Sequence, residues 1–207
     1  LKDARDDDTV ALYSFNTGVT LHNAPTHDLK RLERGLDTLR SEGATSLYDA
    51  IWLAARDMRA RPGRHVVLVV SDGGDTASRM KFGEALEALH DADAVLYSVL
   101  VVPIAGEAGR NLRGENALFT FSQWTGGKLF APALGAGMDD AFDQILNDLR
   151  TQYLLGFYSR NVPPSKDRFH AVRVELSRPR HSIQARNGYF SDDVLPAPSY
   201  EGPKRPE

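Results

Sequence analysis

Apolar positions along the chain change period several times, and each change marks an element. TVALYSF (9–15) and GVTLHN (18–23) are short β-rich runs divided by Asn16 and Thr17, the pattern of a hairpin or of two neighbouring strands. The period then turns helical. Asp28 can cap a helix carrying Leu29, Leu32, Leu36 and Leu39, and Gly43 ends the connection after it. Thr45 or Ser46 opens a second helix, with an apolar stripe of Leu47, Ile51, Ala54 and Met58 and a stop at Pro62-Gly63. HVVLVV (65–70) has no polar face, so it predicts a strand covered by helices on both sides of a parallel sheet. A helix over 80–92, a strand over 94–102, a helix over 115–126, a short KLFAP strand (128–132) and a helix over 138–152 continue the alternation. Units of this length predict an α/β fold: a doubly wound, mostly parallel sheet flanked by helices.

Beyond residue 152 the helical period is lost. YLLGFYS (153–159), FHAVRVELS (169–177) and HSIQARNGYF (181–190) are strand-like with no helix between them, and NVPPSKD and RPR supply turns. They predict an antiparallel β extension appended to the α/β core. The expected organisation is an α/β domain over 1–152, the extension over 153–190, and a linker or disordered tail over 191–207, where four prolines leave little to bury.

Composition narrows the function classes. Of 207 residues, 42% are hydrophobic and 26% charged, enough apolar material for one full core and a smaller appendage. A net charge of −3 argues against nucleic acid as a partner, since such binders carry a basic footprint. The basic stretches RDMRARPGR (56–64) and SRPRH (177–181) read as solvated faces, the first at a helix end where cations complement the dipole. The absence of cysteine excludes disulfides, thiolate zinc sites and cysteine nucleophiles. No run approaches the ~18 apolar residues that span a bilayer, so no membrane insertion is expected of this segment. Leu1 in place of Met, followed by KDARDDD rather than a signal peptide, reads as the start of a fragment.

Two stretches offer chemistry. HVVLVVSDGGDTAS (65–78) runs from an apolar strand into Asp72-Gly73-Gly74-Asp75, and open α/β sheets bind ligands beyond the carboxyl ends of their strands. Asp72 there either holds a hard cation such as Mg²⁺, with the glycines letting the backbone come close, or simply caps the turn. GATSLYDA (43–50) brings the hydroxyls of Thr45 and Ser46 to the same edge, and Thr45 on its own reads as a helix N-cap. Asp75 reads as a turn residue or an outer carboxylate of the same site, and Asp49 as an acid suited to the helix dipole.

Taken in order, DDTVALYSFNTGV, GATSLYDAIWLAARDM, RHVVLVVSDGGDTAS, AVLYSVLVV, TGGKLFAP, LRTQYLLGFYS and SIQARNGYF resemble a von Willebrand factor A domain, most closely the bacterial A-domain-related proteins common in Acidobacteria. The resemblance spans roughly residues 5–190. It implies a Rossmann-like fold and a metal-ion-dependent adhesion site whose Thr aligns with Thr45 and whose Asp aligns with Asp72. Such a site holds Mg²⁺, Mn²⁺ or Ca²⁺ through neutral hydroxyls, leaving the cation free to attract a Glu or Asp of a partner protein. The implied function is therefore non-enzymatic protein binding or adhesion, at an exported location: periplasmic, cell-surface or secreted. The family's Asp-x-Ser-x-Ser ligands occur nowhere in the chain, and its first strand belongs upstream of Leu1, with residues 1–8 resembling the end of the first helix. The site is accordingly expected to be incomplete in this segment, with two strand edges lacking their partner.

Two other readings keep the fold and change the function. One is a scaffold that binds no metal; the other is a phosphohydrolase using Asp72 as nucleophile, which wants a second acid and a phosphate-holding lysine. SDGGDTAS supplies Asp75 but no lysine. A Gly-x-Ser-x-Gly elbow is absent, and His22, His27, His65, His90, His170 and His181 show no His-x-x-x-His pairing. GRNLRG (109–114) lacks the Gly-Lys-Ser/Thr ending of a phosphate loop.

Overall fold

β1 (Val10–Phe15) and β2 (Val19–Thr26) form an antiparallel hairpin in a computed structural model that describes residues 8–40, 43–101, 111–133, 136–160, 162–163, 165–177 and 181–191. Asn16 holds the turn from both sides: its backbone N–H donates to the Gly18 carbonyl at 2.9 Å and its Oδ1 accepts from the Gly18 N–H at 3.2 Å. Of the expected tail over 191–207, residues 192–207 lie outside the described residues, as does the charged start over 1–7.

α1 (Leu29–Asp37) begins where Asp28 accepts the Arg31 N–H at 3.1 Å, the capping bond its sequence predicts. α2 (Leu47–Met58) buries Leu47, Ala50, Ile51 and Ala55, so the stripe includes Ala55 in place of the predicted Ala54. β3 (His65–Ser71), β4 (Ala94–Leu100) and β5 (Leu129–Phe130) then form a parallel sheet in that order, interleaved with α3 (Phe82–Asp91) and α4 (Leu112–Thr125) and followed by α5 (Ala136–Thr151). α4 starts three residues before the predicted 115, because Asn111 accepts the Gly114 N–H at 3.0 Å and so fixes the first turn. Gly126 ends it in the left-handed conformation at φ 85°.

Helices cover both faces of the sheet, as a doubly wound fold requires. On one side Leu47, Ile51 and Ala55 of α2, Ala85, Leu86 and Leu89 of α3, and Leu118 and Phe121 of α4 pack on Val67, Val69, Leu96 and Leu100. On the other, Ile145 of α5, with Met138, Phe142 and Leu149, packs on Tyr97, Val99, Val66, Val95 and Phe130. β4 is thus covered on both faces. β3 departs from the expectation of full cover, since Leu68 and Val70 are 43% and 45% exposed. Only Val66 at its start meets the α5 layer. β3 is hydrogen-bonded to β4, and β1 to β2, while α2 packs against both β1 and β3.

The C-terminal runs are less regular than their sequence suggests. β6 (Phe169–Ala171) and β7 (Gly188–Phe190) pair antiparallel over three residues each. They dock on α3: Phe169 and Phe190 meet the buried His90 ring edge-on at 5.8 and 5.7 Å between centroids. Ion pairs Arg186 to Asp93 and Arg168 to Glu87, and a bond from the Asn187 N–H to the Trp124 carbonyl, complete that contact. Burial, and then the Arg186 guanidinium, push the pKa of His90 down to about 4. Residues 153–159 form no strand.

Candidate functional site

Asp72 and Thr45 lie at the carboxyl edge of the parallel sheet, Asp72 one residue past β3 and Thr45 two residues before α2. What joins them is the segment 75–80, which is hydrogen-bonded onto the start of α2. Thr45 supplies both its backbone groups: its carbonyl accepts the Thr76 and Ala77 N–H groups at 2.8 and 3.0 Å, and its N–H donates to Thr76 Oγ1 at 2.9 Å. One turn on, the Tyr48 N–H donates to Asp75 Oδ1 at 3.2 Å and to Ser78 Oγ at 3.0 Å. The Asp49 N–H also reaches Ser78 Oγ, at 3.1 Å, and the Ser78 hydroxyl in turn donates to Asp75 Oδ1 at 2.5 Å. Running the other way, the Asp49 carboxylate accepts the Arg79 and Met80 N–H groups at 2.8 to 3.1 Å.

This clamp reassigns three residues. Asp75, read from sequence as a turn residue or outer carboxylate, caps α2 across the loop, where its charge also suits the positive end of the helix. Asp49 anchors the loop ahead of α3 as well as complementing its own helix. Thr45 is not the N-cap. That position is Ser46, which makes no side-chain capping bond, and the first-turn amides are met by Asp75 and Ser78 instead. The Thr45 hydroxyl therefore has no capping task.

Asp72 is only partly committed. Its Oδ1 accepts the Gly74 N–H at 2.9 Å, the turn-capping bond, and this is the single protein partner of its carboxylate among the described residues. Gly73 is required here twice over: its φ is 83°, and a Cβ would sit 2.5 Å from the backbone carbon of Gly114 at the start of α4. That contact seats the α4 N-terminus directly beside the Asp72 turn. Ser46, next to Thr45, is fully buried with its hydroxyl unpartnered among the described residues. Beneath the loops, Tyr48 packs edge-on against Phe82 and Phe121. Burial, and then the Asp75 carboxylate, raise its phenol above the usual 10.

Thr45 and Asp72 together offer one hydroxyl and one carboxylate, hard oxygen donors of the kind Mg²⁺ takes. Among the described residues no three His, Cys, Asp or Glu side chains converge on a metal-sized site. The histidines are spread through the structure: His22 bonds to Ser14 and Thr38, His65 to the Ala92 and Arg61 carbonyls, and His170 stacks on Tyr189. The signal for the clamp was present in the sequence as acids and hydroxyls at 49, 75, 76 and 78. Their partners lie about thirty positions away, which local periodicity does not report.

The family model of the von Willebrand factor type A domain matches residues 1–74, a span that contains both Thr45 and Asp72. No curated protein matches the chain by sequence. Among solved structures, BatB from Bacteroides thetaiotaomicron, described as a conserved hypothetical protein, is similar at a TM-score of 0.56 and 18% identity, over 72% of this chain and 82% of that one. An aerotolerance-related membrane protein from Bacteroides fragilis is similar at 0.54 and 16%, over 70% and 82%. At these identities the likeness is one of fold. No helix among the described residues is long and apolar enough to cross a membrane.

Proposed function

We propose, from the premise that this chain carries a von Willebrand factor type A domain, that it is a non-enzymatic binding module which captures an acidic side chain of a partner protein through a divalent cation. Thr45 Oγ1 and the Asp72 carboxylate would hold the cation, Mg²⁺ or its substitutes Mn²⁺ and Ca²⁺. The observation that carries the reading is the clamp: it holds the Thr45 loop against the Asp72 loop through the Thr45 backbone, and the Thr45 hydroxyl has no hydrogen-bond partner among the described residues. When bound, the cation supplies an open coordination position that draws in a Glu or Asp. The chain's own groups do the rest. Gly73 and Gly74 bring the backbone close, and the Asp75–Ser78 pair keeps the entry to α2 rigid.

Two ligands are fewer than an octahedral cation needs from a protein and its waters, so the proposal includes a further strand. Its place is the edge of β3 that does not face β4. A strand there would carry ligands to the carboxyl edge, and the helix after it would cover Leu68 and Val70. An exported location belongs to the same proposal.

Calorimetric titration of Mg²⁺ into the full-length polypeptide tests it, with Asp72→Ala beside the wild type. The expected result is a saturable heat that Asp72→Ala abolishes. Absence of heat in the wild type favours the scaffold reading, which the Asp72 bond to Gly74 supports. Phosphatase turnover lost in Asp72→Asn would overturn both in favour of an enzyme.

A further inference from the structure

His90 is out of place among the buried side chains of α3. It sits in the last turn, 4% exposed, and neither ring nitrogen has a hydrogen-bond partner of normal geometry among the described residues. Its cover is aromatic: Phe169 of β6 and Phe190 of β7 meet the ring edge-on and stand 5.0 Å from each other between centroids. The Gly188 backbone is the polar group facing it, and a Cβ at that glycine would run into the Phe169 ring. A leucine or phenylalanine would fill the same space with no polar atom to bury, whereas an imidazole without partners costs free energy to enclose. Proteins break such rules chiefly where function requires it. The remaining contacts are slight. β6 and β7 pair over three residues each, and the Arg186 to Asp93 and Arg168 to Glu87 ion pairs are partly exposed, where water screens them.

We infer that the β6–β7 pair is an acid-released latch on α3: protonation of His90 puts a positive charge among Phe169, Phe190 and Arg186, and the pair leaves the helix while the α/β core stays folded. The charges around the ring do not compensate it. Arg186 opposes a positive ring and Asp93, just past α3, favours it, but burial is the largest effect. Glu87 on α3 is taken by Arg168, Asp91 follows His90 in the chain, Asp167 is bonded to Ser165 before β6, and His170 stacks on Tyr189. α2 and α4 meet the α3 layer through Leu47, Ile51, Leu118 and Phe121, and Tyr97 of β4 belongs to the α5 layer. The sign follows from the ring's two environments. Docked, its pKa is about 4, against an ordinary 6.5, so acid favours the open form: the undocking equilibrium rises as pH falls below about 6.5 and levels off below about 4.

Hydrogen exchange on the full-length chain tests this, because two amides report the two events. The Asn187 N–H donates to the Trp124 carbonyl across the latch, and the Ser98 N–H donates to the Lys128 carbonyl within the core. After correction for intrinsic exchange, the opening equilibrium at Asn187 is expected to rise roughly thirtyfold between about pH 7.5 and about pH 5. At the lower pH it should exceed the opening at Ser98 at least about tenfold, as release without global unfolding requires. His90→Phe should hold the Asn187 value flat across the same range. Glu87→Gln combined with Asp93→Asn should keep the rise, which leaves the inference testable if His90→Phe fails to fold. No rise at Asn187, or equal opening at Asn187 and Ser98 at the lower pH, would overturn the latch. So would a rise that survives His90→Phe or vanishes in the double variant, since the carboxylates would then carry the response.

Discussion

β3 and β4 are paired in register along their whole length and share one aliphatic vocabulary, HVVLVVS and AVLYSVL. β4 is buried at every position but Val95, whereas β3 leaves Leu68 and Val70 open to nearly half their surface. Nothing within the two strands accounts for this. The difference lies in what covers them: α5 spans β4 and β5 and reaches only Val66 on β3's second face. A strand's sequence states that it wants cover on both faces, and other segments decide whether it receives it.

The sharpest test of that contrast is a matched pair of truncations. Leu96→Ala in β4 removes a fully buried side chain and should cost about 2–5 kcal/mol in urea unfolding. Leu68→Ala in β3 should cost less than about 1 kcal/mol, since much of its side chain is already in water. Equal losses would mean that β3 is as covered as β4.

Next in size is a pH effect at the other end of the molecule, where the β6–β7 hairpin closes over α3. The folded pKa of His90, about 4, lies below its ordinary 6.5, so the unfolded chain takes up the proton first. Stability is full above about pH 6.5 and is lost as pH falls toward 4, by about 3 kcal/mol in total. Unfolding midpoints at a series of pH values should trace this loss, and His90→Leu should flatten it.

Within the β4 layer, Thr125 Oγ1 accepts the Leu96 N–H at 2.9 Å and donates to the Phe121 carbonyl at 2.8 Å. Thr125→Val keeps the shape but leaves a buried donor unpaired, so a loss of about 1–3 kcal/mol is expected by the same unfolding measurement. The smallest effect concerns the clamp. Asp75→Ala should cost about 1 kcal/mol, the worth of an N-capping group, and should raise the hydrogen-exchange rate of the Tyr48 amide, which Asp75 and Ser78 share.

Much of the fold was legible because periodicity is local. The hairpin, α1, α2, α3, α5 and both long parallel strands fall where the apolar spacing puts them. What was not legible depends on distant partners. Asp75 looks like a turn residue until Tyr48 is beside it, and Thr45 looks like a cap until Asp75 and Ser78 take that task. The YLLGFYS run has every local mark of a strand, but a strand needs a neighbour to bond to, and the sequence names none. For the site, the positions of Thr45 and Asp72 at one sheet edge could be read from the order of elements. That the Thr45 hydroxyl has no hydrogen-bond partner among the described residues could not.

That hydroxyl decides between a structural and a binding role for the edge. Thr45→Val removes it while keeping the branched shape, and the measurement is Mg²⁺ affinity by calorimetry on the full-length polypeptide, with its unfolding free energy taken alongside. The expected result is that Mg²⁺ binding is lost while stability stays within about 0.5 kcal/mol of wild type. A stability loss of about 1 kcal/mol or more, with Mg²⁺ binding intact, would show that Thr45 serves as a cap after all and would contradict the metal-dependent reading.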